Sequence, residues 1–570
     1  MNSNAILHIE GLHCTFTTEN RKVEALKGIS LNVEKGKTLA IVGESGSGKS
    51  VTSLSVLRLL NEKTALLKGS ILFKEGLKEV DLFKLSDKEM RKIRGNKIAM
   101  IFQEPMTSLN PVIKCGEQVA ESLRLHKKLN RSEAKKKVIE LFNKVKLPRP
   151  EYMYSAYPHQ LSGGQKQRVM IAMAIACNPE ILIADEPTTA LDVTVQKNIL
   201  ELLRELQAEL RMSIIFITHD LGVVAGLAHN VAVMYNGEIV EQGDVKAIFS
   251  QPKHPYTKGL ISCRPSLDTR YKKLPVVSDF LGDTTFTYST VSNQERKENQ
   301  DKIYSQAPLL EIKNLSKVYE LKKPGWGFSK EKLVAVNDVS LNLYPGETLG
   351  LVGESGCGKS TLGKLILQLI KPTKGKIEYN GQDLAQLSSE DLRRMRRKIQ
   401  VIFQDPYSSL NPIQRIGDAI SEPMIVHGIY RTKTECKEAA IELLEKVGLL
   451  PEHYDRYPHE FSGGQRQRIV IARALSLNPE FIVCDECVSA LDVSVQAQII
   501  NLLQDLKEQN NLSYIFISHD LSVVKYMSDR IAVMQQGKIV ELNDADAVYS
   551  HPQSAYTQQL IEAIPALPAL

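Results

Sequence analysis

The apolar positions of this chain fall into short runs that end in glycine or in an acid. TLAIVG (38–43) and TLGLVG (348–353) have the form of buried strands closed by glycine. Each leads through a glycine-rich turn into SVTSLSVLRLL or STLGKLILQLI, where a helix is expected to open. ILIAD, FIVCD, IIFITHD and YIFISHD are equally short, β-branched and apolar. Such runs suit the central strands of a largely parallel sheet covered on both faces. Between them the period changes to that of a helix. AKKKVIELFNKVKL puts Val138, Leu141, Phe142 and Val145 on one face, and IELLEKVGLL repeats the pattern. The chain is therefore read as α/β, with mostly parallel sheet cores into which helical subdomains are inserted.

These elements occur twice. The first glycine-rich turn ends at Ser50 and the second at Ser360, 310 positions later. IFQEPMTSLNP and IFQDPYSSLNP set Gln103 against Gln404, 301 apart, while Ser162 and Ser462, like His219 and His519, are 300 apart. The same motif order at nearly the same spacing describes a domain duplication rather than a solenoid. The expected domains are 1–263 and 309–570, consistent with a length of 570 residues that exceeds what one core serves. The intervening 264–308 is polar, and STVSNQERKENQDK offers no apolar face. It is expected to be a flexible linker, long enough to let the two copies face each other.

Two segments match the phosphate-loop pattern: Gly43, Glu44, Ser45, Gly46, Ser47, Gly48, Lys49, Ser50, and Gly353, Glu354, Ser355, Gly356, Cys357, Gly358, Lys359, Ser360. Glycines let successive N–H groups curl around phosphate oxygens, and the following helix presents its positive end. Lys49 and Lys359 are expected to reach the β- and γ-phosphates of ATP, and Ser50 and Ser360 to ligate Mg²⁺. ILIAD and FIVCD end in Asp185 and Asp485, with Glu186 and Glu486 next. An acidic pair after a strand is ordinarily a loop start. Beside a phosphate loop, the aspartate is placed to hold Mg²⁺ and the glutamate to orient or deprotonate the attacking water.

Composition narrows the setting. Lysine and arginine number 72 against 66 acidic residues, a net +6, far from the basicity of a dedicated nucleic-acid binder. The longest wholly apolar run, 169–177, has nine residues, about half of a membrane span. With no charged-then-apolar leader at the N-terminus, a cytosolic location is expected. The eight cysteines, mostly within hydrophobic runs, read as buried free thiols. Cys484 and Cys487 form one C-x-x-C without the second pair that a zinc site needs.

The phosphate loops, Gln103 and Gln404, LSGGQ and FSGGQ, the Asp-Glu pairs, and His219 and His519 occur in the order found in ATP-binding-cassette proteins, which this chain resembles over both copies. The resemblance implies two domains that pair head to tail within one chain. Each ATP would lie between the phosphate loop of one copy and the SGGQ of the other: Ser162, Gly163, Gly164 and Gln165, or Ser462, Gly463, Gly464 and Gln465. It further implies that Gln103 and Gln404 touch Mg²⁺ or water and that His219 and His519 contact the γ-phosphate. Phe16 and Tyr319 would stack on adenine, although Phe16 also suits a core position. Both copies keep glutamate and histidine, so both sites are expected to hydrolyse ATP.

QPKHPYTKGL (251–260) and HPQSAYTQQL (551–560) resemble the HPYT segment of oligopeptide and dipeptide importer ATPases. That likeness implies two membrane permease subunits, an extracytoplasmic solute-binding protein, no nucleic acid, and a peripheral place on the cytoplasmic face of the bacterial inner membrane. A sugar importer ATPase and a soluble ribosome-associated tandem ATPase are the alternatives. The second lacks HPYT and carries a long charged helical linker. Three departures stand out. Only Cys263 follows the first HPYT, so no iron–sulfur cluster is expected; the second HPYT reads SAYT; and Cys487 stands where proline is usual. Cys357 lies inside a loop of N–H groups, and its thiolate is expected to react faster than a buried thiol such as Cys177.

Overall fold

A computed structural model describes residues 4–18, 21–76, 78–103, 108–189, 191–267, 269–282, 288–322, 330–489 and 491–564. Part of IFQEPMTSLNP, residues 104–107, lies outside the described residues. The chain divides into two compact units, the first chiefly 1–261 and the second chiefly 285–564, to which Ser262–Val276 also belongs.

In the first unit a six-stranded sheet has the order Glu238–Asp244, Asn230–Tyr235, Thr38–Val42, Ser213–Ile217, Ile181–Asp185, Ile98–Ile101. Every neighbour pair is parallel except the first, an antiparallel edge. Thr38–Val42, Ile181–Asp185 and Ser213–Ile217 are buried at every position, which explains their continuous apolar runs. An antiparallel sheet with the order Arg21–Glu34, Ala5–Thr18, Ala65–Glu75, Lys78–Asp81 packs beside it. The second unit repeats both sheets, its six strands ordered Ile399–Ile402, Phe481–Asp485, Ser513–Ile517, Thr348–Val352, Arg530–Gln535, Lys538–Asp544. The α/β reading holds in both.

The inserted helices follow. In the first unit Cys115–Lys127, Arg131–Lys144 and Gly163–Ile175 share one core, and Val138, Leu141, Phe142 and Val145 are all buried in it. Ile416–His427, Lys433–Lys446 and Gly463–Leu475 are their counterparts. Among the described residues no helix is long and apolar enough to cross a membrane.

Much of 264–308, expected from the sequence to be a linker, is fastened to the second unit. Helix Asn293–Tyr304 is capped by Ser292, whose side chain accepts from the Glu295 N–H. Its Arg296 pairs with Asp544 at 2.7 Å and with Asp546 at 2.6 Å, and Gln300 donates to Asp544 at 2.7 Å. Tyr304 lies 5.3 Å from the Arg530 guanidinium, which itself pairs with fully buried Glu347 at 2.7 Å. Nearer the start, Leu274 and Asn501 exchange hydrogen bonds of 2.8 and 2.9 Å. The anchors are charges and amides. Ile303 is the one apolar side chain buried on that helix, so the segment shows no hydrophobic period.

Candidate active site

Each phosphate loop connects a buried strand to a helix, Lys49–Val56 or Lys359–Ile366. Gly43 and Gly353 have φ of 152° and 151°, and a Cβ there would stand 2.2 Å from the carbonyl oxygen of Met234 or Met534. Only glycine allows that approach. Lys49 Nζ donates to the carbonyls of Gly43 and Glu44 at 2.7 and 2.8 Å; Lys359 Nζ does so to Gly353 and Glu354 at 2.7 and 2.9 Å.

The strand ends supply the acids. Ser50 Oγ donates to Asp185 at 3.2 Å and Ser360 Oγ to Asp485 at 3.1 Å. Ser53 also reaches Asp185, at 3.5 Å. Burial pushes the Asp185 carboxyl up to about 6 against the lowering effect of Ser50, and burial raises Asp485 as well. A buried carboxylate beside a hydroxyl is a pair of hard oxygen donors, the chemistry that suits Mg²⁺.

Glu186 and Glu486 are different. Both adopt the left-handed region, with φ of 46° and 50°, a strain on the order of 1–3 kcal/mol that cores rarely retain without use. Gln103 Nε2 donates to Glu186 at 3.0 Å, Gln404 Nε2 to Glu486 at 2.6 Å. His219 stands 3.4 Å from Glu186 and His519 3.6 Å from Glu486. Burial works to raise Glu186, but the His219 contact, the Thr189 hydroxyl and Lys49 outweigh it and hold the carboxyl down at about 2. The His519 hydrogen bond likewise lowers Glu486. Burial opposes the charge on His519, yet Glu486 raises it on balance.

SGGQ opens a helix in both units. Ser162 caps Gly163–Ile175 and exchanges hydrogen bonds with Gln165, a capping box written S-x-x-Q; Ser462 and Gln465 do the same. A Cβ on Gly164 or Gly464 would meet Val195 at 2.8 Å or Val495 at 2.3 Å. Phe16 is half-buried against the core, and Tyr319 lies under Lys317 at 5.1 Å. His159 and His459 stack on Tyr157 and Tyr457, ring centres 5.8 Å apart.

Cys357, expected to react faster than a buried thiol such as Cys177, is itself buried. It is 7% exposed, and burial pushes its thiol up in spite of Lys359. The matching Ser47 Oγ is buried with no hydrogen-bond partner among the described residues, so a small side chain suffices at this position. Residues not foreseen as part of the site are Ser53, Thr189 and two tyrosines. The Glu44 N–H donates to Tyr256 Oη and the Glu354 N–H to Tyr556 Oη, each at 3.0 Å. HPYT was visible as a motif, but nothing local ties it to a loop 212 residues away.

The pattern of the family described as ABC transporter matches residues 26–189 and 336–489, more than half of the chain, including both phosphate loops and both SGGQ segments. The chain belongs to the ABC transporter family. A second pattern, Oligopeptide/dipeptide transporter, C-terminal region, matches 240–281 and 540–569. The "Glutathione import ATP-binding protein GsiA" of Salmonella choleraesuis is 49% identical over 572 residues, 99% of this chain and 90% of the relative. The protein of the same name from Shigella sonnei is 48% identical with the same coverage. A solved post-hydrolysis dimer of an ATP-binding cassette with ADP and Pi covers 41% of this chain and 98% of its own, at 31% identity and a TM-score of 0.37. This ABC transporter ATPase carries two ABC domains in tandem.

Proposed function

We propose that the chain powers import of peptides or related small solutes across a bacterial inner membrane. It works from the cytoplasmic face as a peripheral subunit beneath two membrane permease subunits, supplied by an extracytoplasmic solute-binding protein. The observation that carries this reading is the oligopeptide/dipeptide transporter C-terminal region following both cassettes. Glutathione is the first solute to test, because relatives 48–49% identical over 99% of the chain are named for its import.

Within the engine, each ATP is held by the phosphate loop of one unit and by SGGQ of the other, with Phe16 or Tyr319 against adenine. Ser50, Asp185 and Gln103, or Ser360, Asp485 and Gln404, hold Mg²⁺, which supplies charge neutralisation at the phosphates when bound. Glu186 and Glu486 orient the attacking water, and His219 and His519 contact the γ-phosphate. The hydroxyl–carboxylate distances of 3.2 and 3.1 Å support the metal assignment.

The test is reconstitution in vesicles with permeases and loaded binding protein. MgATP-dependent uptake of labelled glutathione or of short peptides is expected; uptake of sugars alone would overturn the peptide assignment. Cysteines at Ser45 and Ser462 are expected to crosslink within one chain when MgATP is trapped. Crosslinks found only between chains would refute the intramolecular pairing.

A further inference from the structure

In each unit one peptide group of the phosphate loop is gripped at both ends. The Gly43 carbonyl accepts from Lys49 Nζ at 2.7 Å, while the N–H of that same peptide, on Glu44, donates to Tyr256 Oη at 3.0 Å. The second unit repeats it: Gly353 accepts from Lys359 at 2.7 Å, and the Glu354 N–H donates to Tyr556 Oη at 3.0 Å. There is little slack on the inner side, where the Met234 or Met534 carbonyl already crowds the glycine.

The tyrosines are themselves closely held. Tyr256 is fully buried and Tyr556 is 8% exposed, near the start of helices Pro255–Ser262 and Ala555–Glu562. The Tyr256 N–H is capped by His254 Nδ1 at 3.2 Å and the Tyr556 N–H by Ser554 Oγ at 3.3 Å. Glu241 accepts from the N–H groups of Lys253 and His254, and Glu541 from those of Gln553 and Ser554, all at 2.9–3.1 Å. Tyr235 stacks on Tyr256 with ring centres 4.3 Å apart. A carboxylate on the edge strand thus fixes the segment, the segment fixes the tyrosine, and the tyrosine fixes the loop.

We propose that Tyr256 and Tyr556 are positioning residues for the bound nucleotide. By orienting the first peptide of the phosphate loop, each hydroxyl sets where the loop lysine stands relative to the phosphates. The C-terminal segment of each unit is thereby coupled to that unit's own ATP site. Movement of helix Pro255–Ser262 or Ala555–Glu562 away from the loop releases the peptide and weakens the hold on nucleotide. The proposal rests on the reading of both loops as ATP sites.

The test uses the full chain with Tyr256→Phe and Tyr556→Phe, which keep the ring and remove the hydroxyl, and Tyr235→Phe as the control for packing. MgADP affinity is measured by calorimetry, KM and kcat by ATP hydrolysis, and Tm without nucleotide. Each of the first two variants is expected to weaken MgADP at its own site about five- to tenfold, the worth of one hydrogen bond. KM for ATP rises by a similar factor, kcat stays within about twofold, and Tyr235→Phe matches the parent. Parental affinity in both variants overturns the proposal, as does an equal effect from Tyr235→Phe or a fall in kcat with KM unchanged. A parent that binds no MgADP would instead overturn the assignment of the loops as nucleotide sites, and this proposal with it.

Discussion

His219 Nδ1 stands 3.4 Å from Glu186 Oε1, while Gln103 grips Oε2 of the same carboxylate at 3.0 Å. In the second unit His519 and Gln404 both approach Oε2 of Glu486, at 3.6 and 2.6 Å. Thr189 adds a hydrogen bond to the Glu186 carboxylate, whereas Ser489 turns to the Glu486 carbonyl. The two glutamates are held in comparable places, the first by more partners.

Glu186→Gln and Glu486→Gln are each expected to cut steady-state ATP turnover at least tenfold, or about 1.4 kcal/mol of barrier. The check is phosphate release by the purified chain. One variant with parental turnover would show that the two sites contribute unequally.

Gly464→Ala is expected to destabilise the second unit by about 1–3 kcal/mol, because its Cβ meets the stiff Val495 side chain at 2.3 Å. Gly164→Ala, at 2.8 Å from Val195, costs less. Thermal unfolding reads both. Adding Val495→Ala to Gly464→Ala recovers most of the loss if contact is the cause; no recovery would refute the steric account.

What could be read from the sequence is what has a local or periodic origin. The strands announced themselves as apolar runs because both sheet faces are covered. The face of Val138, Leu141, Phe142 and Val145 showed a helical period because one core takes all four. Phosphate-loop geometry is a backbone property and travels with its glycines. Arg296 on Asp544 left no trace, since an ion pair between distant positions has no period. Tyr256 on Glu44 was invisible for the same reason. The burial of Cys357 was not legible either, because it depends on neighbours from the whole fold.

The hold of Asn293–Tyr304 on the second unit is expected to depend on acid. The Asp544 carboxyl, which burial alone would raise, is brought below its ordinary 3.8 by Arg296 and Gln300. A lowered acid contributes stability that is complete above that value and is lost as pH falls through the folded one. Limited proteolysis of this segment therefore accelerates below about pH 4. Arg296→Ala, which forfeits about 2 kcal/mol of charge-assisted bonding, exposes the segment at neutral pH. Equal cleavage of Arg296→Ala and parent at pH 7 would count against the ion pair as an anchor.

All eight cysteines are buried. Thiol titration is expected to find eight reactive groups in denaturant and almost no fast phase in the native chain. Cys357→Ser should leave the native rate unchanged. A fast native phase abolished by that substitution would restore the reactive thiolate that the fold argues against.

The replacement of HPYT by SAYT in the second unit has a practical side. Ser554 Oγ takes the N–H that His254 Nδ1 takes in the first, so the histidine is exchangeable for any short acceptor, while the tyrosine two positions on has a contact of its own. A search pattern for this segment is better written in functions than in letters: a glutamate, two amides twelve and thirteen positions later that donate to it, an acceptor on the second of these, and a hydroxyl-bearing ring two further. Written so, the two halves of this chain spell the same word.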